Sequence, residues 1–96
     1  MQPGYVYLMA SQPNGTIYLG VTSNIAQRAY QHRRGLIEGF SKKHGCTLLV
    51  WYEHHDDIQD ARAREYRMKK WRRDWKVALI VERNPQWVDL FPSLHA

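Results

Sequence analysis

The stretch YVYLMASQPNGTIYLG, residues 5–20, alternates on either side of a polar segment ending in Asn14-Gly15. That is the pattern of two strands joined as a hairpin, and strands are expected at Tyr5–Ala10 and Thr16–Val21 with a turn at Ser11–Gly15. Successive strand residues point to opposite faces, so parity sorts the side chains. Val6, Leu8 and Ala10 share one face of the first strand, against Tyr5, Tyr7 and Met9. In the second, Ile17, Leu19 and Val21 lie together, opposite Thr16, Tyr18 and Gly20. A loop of Ser11–Asn14 would set Ala10 opposite Gly15 and Tyr7 opposite Tyr18. One face is then aliphatic core and the other presents a tyrosine pair. Cross-strand aromatic packing alone would explain such a pair.

Downstream, Ser23 or Asn24 can cap a helix that stops at Gly35. Residues 36–46, LIEGFSKKHGC, have two glycines and a basic centre and are expected as a loop. Thr47–Glu53 is apolar and aromatic enough for a third strand. Asp56 and Asp57 put negative charge where a helix start favours it, and residues 57–73 hold no Gly or Pro. Asp74 is expected to cap a last helix over 75–83, ended at Asn84 because the residue before Pro85 is disfavoured in a helix. The tail should be irregular, with a turn at Gln86–Leu90. The order ββαβαα predicts an α+β fold, a three-stranded, mainly antiparallel sheet flanked by helices.

At 96 residues the chain has material for one core, so residues 1–96 are expected to form a single domain. A 44% hydrophobic content argues against disorder. No apolar run approaches the ~20 residues of a membrane span, and no secretion signal is visible. The single cysteine, Cys46, excludes an internal disulfide and agrees with a cytoplasmic location. It opens an apolar strand, where cysteine serves as a small buried residue. The net charge of +5 favours polyanionic partners.

Three groups of residues carry chemistry. Arg28 and His32, spaced i and i+4, stack on one helix face, which is either a solvated face or a site. Ile58, Ala61, Glu65, Met68 and Trp75 fall within an arc of roughly 100° on a helical wheel. Glu65 thus interrupts an apolar stripe, and a carboxylate there needs either a cationic partner or a metal ion. Basic residues are dense, among them Arg33, Arg34, Lys42, Lys43 and Lys69, with Trp71 and Trp75 interleaved farther along, as phosphate binding and base stacking would use them. The run HHDD at 54–57 holds metal-ligand types, but adjacent residues seldom converge on one ion, and a strand end followed by a helix start explains it. No Walker loop, HExxH, paired-cysteine zinc spacing or GxSxG elbow is present.

Together these parts resemble the GIY-YIG nuclease superfamily, especially its short stand-alone bacterial members. YVY at 5–7 stands for GIY and YLG at 18–20 for YIG. Arg28 and His32 in NIAQRAYQH match the following helix, Glu65 in AREYRMKKW matches the metal-binding glutamate, and Asn84 in RNPQW matches a late asparagine. The first motif has Tyr5 for its glycine and the second has Leu19 for isoleucine. Val21 stands where some relatives carry lysine. The resemblance spans residues 4–90 and implies a DNA endonuclease with one divalent ion, Mg²⁺ or Mn²⁺. It implies that Tyr7, Tyr18, Arg28, His32 and Glu65 are catalytic, with the ion on Glu65 and with Gly20 and Asn84 in support. Water activation falls to Tyr18, orientation of water or phosphate to Tyr7, and phosphate clamping to Arg28. His32 relays a proton or binds phosphate. The chain has no room for the separate DNA-recognition domain of larger relatives, so specificity is left to DNA structure, to homodimerisation or to a targeting partner protein. A non-catalytic nucleic-acid-binding module on the same scaffold is the alternative.

Overall fold

A computed structural model describes residues 2–95. Three strands, β1 (Gly4–Ala10), β2 (Ile17–Thr22) and β3 (Leu48–His55), form an antiparallel sheet in the order β2-β1-β3. Helices α1 (Ile25–Arg33) and α2 (Phe40–Lys43) lie between β2 and β3; α3 (Ile58–Met68), α4 (Arg73–Arg83) and a 3₁₀ turn at Phe91–His95 follow. The expected α+β sheet is present.

Parity predicted the faces, and the structure corrects the register. Ala10 pairs with Ile17, not Gly15, so Tyr7 lies opposite Gly20 and Tyr18 opposite Met9. The reason is a longer loop. Gly15 N–H donates to Gln12 O at 2.8 Å, Ser11 N–H to Thr16 O at 3.0 Å, and Ser11 Oγ takes the Thr16 N–H at 3.0 Å. A shift of two residues preserves parity, so both faces keep their expected members.

The aliphatic face buries Val6, Leu8 and Ala10 with Val50, Trp51, Ala61, Met68, Ile80 and Trp87, beneath α3 and α4. On the other face Tyr7 and Met9 pack with Ile25, Ala29, Cys46 and Leu49, beneath α1 and the 3₁₀ turn. Burial raises the pKa of the Cys46 thiol, as befits a packing residue.

Local chemistry sets the helix ends. Asn24 Oδ1 accepts the Gln27 N–H at 3.1 Å and caps α1, and Asp57 Oδ1 accepts the Gln59 N–H at 2.9 Å and caps α3. HHDD therefore divides as expected, its histidines finishing β3 and Asp57 starting α3. Two expectations fail. Residues 36–46 are not all loop, because Phe40–Lys43 close a helical turn between Gly39 and Gly45, whose φ of 116° and 64° a side chain would oppose. Nor does one stripe run from Ile58 to Trp75. The chain breaks after Met68, α4 starts at Arg73 rather than beyond Asp74, and Trp75 is left half exposed.

The tail covers the open edge of β3, a protection that edge strands require. Pairing with β1 slips at Val50, and Asn84 Nδ2 donates to the Val50 carbonyl at 3.0 Å. Leu90 N–H donates to Leu49 O at 2.8 Å, while Asp89 Oδ1 accepts the Leu49 N–H at 3.2 Å. Among the described residues no helix is long and apolar enough to cross a membrane.

Candidate active site

The site grows from one vacancy in the side-chain pattern of β2. Gly20 has no side chain, and the Tyr7 ring occupies the space. A Cβ on Gly20 would sit 2.4 Å from the Tyr7 hydroxyl. Tyr7 is completely buried, and its hydroxyl meets His32 Nε2 at 2.8 Å. His32, 3% exposed, is reached from the opposite side of its ring by Ser41 Oγ, 2.8 Å from Nδ1. Ser41 Oγ in turn donates to the Cys46 carbonyl at 3.3 Å.

This chain of contacts assigns the protons. Ser41 has one hydrogen and gives it to a carbonyl, so it accepts from His32 Nδ1–H. Nε2 is then the bare nitrogen, and the Tyr7 hydroxyl donates to it. Burial, and then the nearby Arg28 charge, lowers the His32 pKa from 6.5 to about 4, so the ring is neutral at physiological pH.

Tyr7 is the hub on which the other groups act. Its pKa is raised, chiefly by burial, then by Tyr18. Arg28 opposes that rise through its charge and as a hydrogen-bond donor, and the Glu65 carboxylate adds to it. Charges from α1 and α3 therefore both bear on one phenol of the central strand. Tyr18 is less enclosed. Its ring centroid lies 6.3 Å from that of Tyr7, 5.2 Å from that of His32 and 6.4 Å from that of Phe40. Glu65, with 18% of its side chain exposed, stands 3.5 Å from Lys69 Nζ. Lys69 is itself largely in solvent, so the pair is a loose, screened one.

The remaining sequence candidates divide. Arg33 is paired with Asp89 at 2.5 Å and lies over the Phe91 ring, while Arg34 lies over Tyr30. Lys42 pairs with Glu38 at 2.8 Å across an exposed turn, and Lys43 is exposed beside it. Asn84 hydrogen-bonds backbone only: Nδ2 donates to Val50 O and Val88 O, and Oδ1 accepts the Val88 N–H. Ser41 is the residue that sequence reasoning passed over. A buried serine inside a basic, glycine-flanked segment has no sequence signature; only its position against His32 shows what it does.

A family model described as the GIY-YIG catalytic domain matches residues 3–78. A UPF0213 protein of Clostridium perfringens is 32% identical over 76 residues, covering 79% of this chain and 81% of its own length. One from Staphylococcus haemolyticus is 31% identical over 83 residues, 86% of this chain and 100% of its own, and one from Staphylococcus aureus is 30% identical over the same span. No solved structure matches the chain. With the family match covering the hairpin, α1 and α3 that build the site, the chain belongs to the GIY-YIG family, whose catalytic domain is of the nuclease type.

Proposed function

We propose that this protein is a metal-dependent DNA endonuclease that hydrolyses phosphodiester bonds with one divalent ion held by Glu65. What supports this reading is that the Arg28 and Glu65 charges both bear on the Tyr7 phenol, whose ring lies beside that of Tyr18. A binding surface needs no carboxylate beside the phosphate it holds; a hydrolytic site that works through a divalent ion does.

The donor chemistry fits a hard ion. Among the described residues no three His, Cys, Asp or Glu side chains gather at one point. A single carboxylate with waters and substrate phosphate oxygens is the ligation that Mg²⁺ accepts. When bound, such an ion supplies Lewis acidity to the phosphate and to the departing 3′ oxygen.

The chain's own residues do the rest. Arg28 offers a planar fork of donors to two phosphate oxygens. Tyr7 is held protonated by its burial and gives its hydrogen to His32, so its oxygen lone pairs are left to accept from Arg28 or from a water, and it does not take a proton. Tyr18, nearer to solvent, takes the proton of the attacking water once its own phenolic proton has passed to solvent. As the water oxygen bonds to phosphorus the P–O3′ bond breaks, leaving a 5′ phosphate and a 3′ oxyanion that takes a proton from bulk water to become the 3′ hydroxyl. His32 serves in its neutral state, through the Tyr7 hydroxyl.

Supercoiled plasmid is the direct assay. Nicking with Mg²⁺ or Mn²⁺ and none with EDTA is expected. Glu65→Gln should lose cleavage by at least 10²-fold and keep DNA affinity within a few-fold. A wild-type protein that binds DNA and cuts none with either metal would be a binding module, and the nuclease reading would fall.

A further inference from the structure

Helix α2 has its polarity reversed. In a short helix that packs for stability, an aromatic residue turns inward and a serine outward. Here Ser41 is buried at 4% exposure, while Phe40, the preceding residue, is 49% exposed. Ser41 is accounted for by His32. Phe40 is held in the open by two rings: Tyr18, in a stacked arrangement at 6.4 Å and 25°, and His44, at 4.3 Å. It therefore stands beside the tyrosine assigned to activate water, on a helix whose next residue is hydrogen-bonded to His32. Lys42 and Lys43 follow it on the same turn, so the surroundings suit a polyanion and not an apolar peptide.

We propose that Phe40 is a stacking platform for an unpaired DNA base next to the scissile phosphate, so that the preferred substrate is DNA whose strand leaves the duplex at the cut. This rests on the nuclease reading. An aromatic face binds any exposed base, whereas bases inside an intact duplex are already stacked on one another and offer only their edges. A phenylalanine at this place thus favours DNA in which one base has been released, and the favour is independent of sequence.

The test separates binding from cutting. A forked DNA carrying 2-aminopurine at the first unpaired position, and a fully paired duplex of equal length, are titrated with the full chain in EDTA. Wild type should quench 2-aminopurine fluorescence and bind the fork more tightly than the duplex. Phe40→Leu keeps apolar bulk against His44 and lacks an aromatic face. It should lose the quenching and on the order of tenfold in fork affinity, with the fork-over-duplex preference falling towards one; Phe40→Trp should restore both. Unchanged quenching and unchanged preference in Phe40→Leu would overturn the inference, as would equal binding of fork and duplex by wild type. Cleavage of the two DNAs with Mg²⁺ is scored separately. If wild type cuts neither, the nuclease reading is lost, and the titration still decides whether Phe40 stacks on a base.

Discussion

Replacing Gly20 by alanine tests the architecture of the site with one methyl group. The new Cβ would lie 2.4 Å from the Tyr7 hydroxyl, 2.5 Å from Cζ and 2.9 Å from Cε1. The ring cannot yield cheaply, because it is fully buried and its hydroxyl is tied to His32, itself tied to Ser41. Backbone strain is not the issue, since Gly20 is not among the positive-φ glycines. Alanine would by itself gain about 0.4–1 kcal/mol through the unfolded chain. Against this stand about 1–3 kcal/mol of overpacking and about 1–3 kcal/mol for a buried hydrogen bond left unmade. The net loss should be about 3 kcal/mol, a large part of a stability of roughly 5–15 kcal/mol. Urea unfolding followed by tryptophan fluorescence measures it, in wild type and in a Tyr7→Leu background. Leucine lacks all three clashing atoms, so there Gly20→Ala should be close to neutral. An equal cost in both backgrounds, within about 0.5 kcal/mol, would refute the claim that Tyr7 is what demands a glycine.

Other perturbations probe the rest of the network. Since His32 titrates near 4 in the fold and near 6.5 when unfolded, the unfolded chain binds the proton first on acidification. Stability is therefore whole above pH 6.5 and falls, by up to about 3 kcal/mol, as pH drops towards 4. Urea midpoints between pH 7 and 4.5 should show this slope, and His32→Gln should flatten it; an unaltered slope would count against a buried neutral histidine. Ser41→Ala removes the acceptor of His32 Nδ1–H. Nitrogen NMR should report a mixed tautomer in place of one, with a loss of about 1–3 kcal/mol, and a pure Nδ1–H form in the variant would show that Ser41 is not what sets the proton. Asn84→Ala leaves the Val50 carbonyl and the Val88 N–H without their partner, and the urea midpoint should fall by an amount equivalent to about 2–4 kcal/mol. A change below about 0.5 kcal/mol would mean that water takes over both bonds.

Much of the hairpin was legible because its information is local. Side chains alternate with period two whatever the chain does elsewhere, so Val6, Leu8 and Ala10 had to part from Tyr5 and Tyr7. Asn24 and Asp57 showed the starts of α1 and α3 because a cap needs only the next few backbone amides. The register was less visible. Strand pairing depends on how Ser11, Gln12 and Gly15 use their hydrogen bonds, and a slip of two leaves the alternating pattern untouched. Two helices were expected after β3, but the place of the break was hidden, since residues 57–73 contain nothing that would end α3 at Met68.

The sequence by itself determined which chemical groups are available: two phenols, a guanidinium, an imidazole and a carboxylate, on elements whose type and order follow from local pattern. Only the tertiary structure decided what state they are in. Burial makes His32 a neutral acceptor, Ser41 chooses its protonated nitrogen, and the bare backbone of Gly20 lets the Tyr7 hydroxyl reach it. Those outcomes depend on solvent exclusion and on contacts between residues far apart in the chain, and neither quantity is a property of any short stretch of residues.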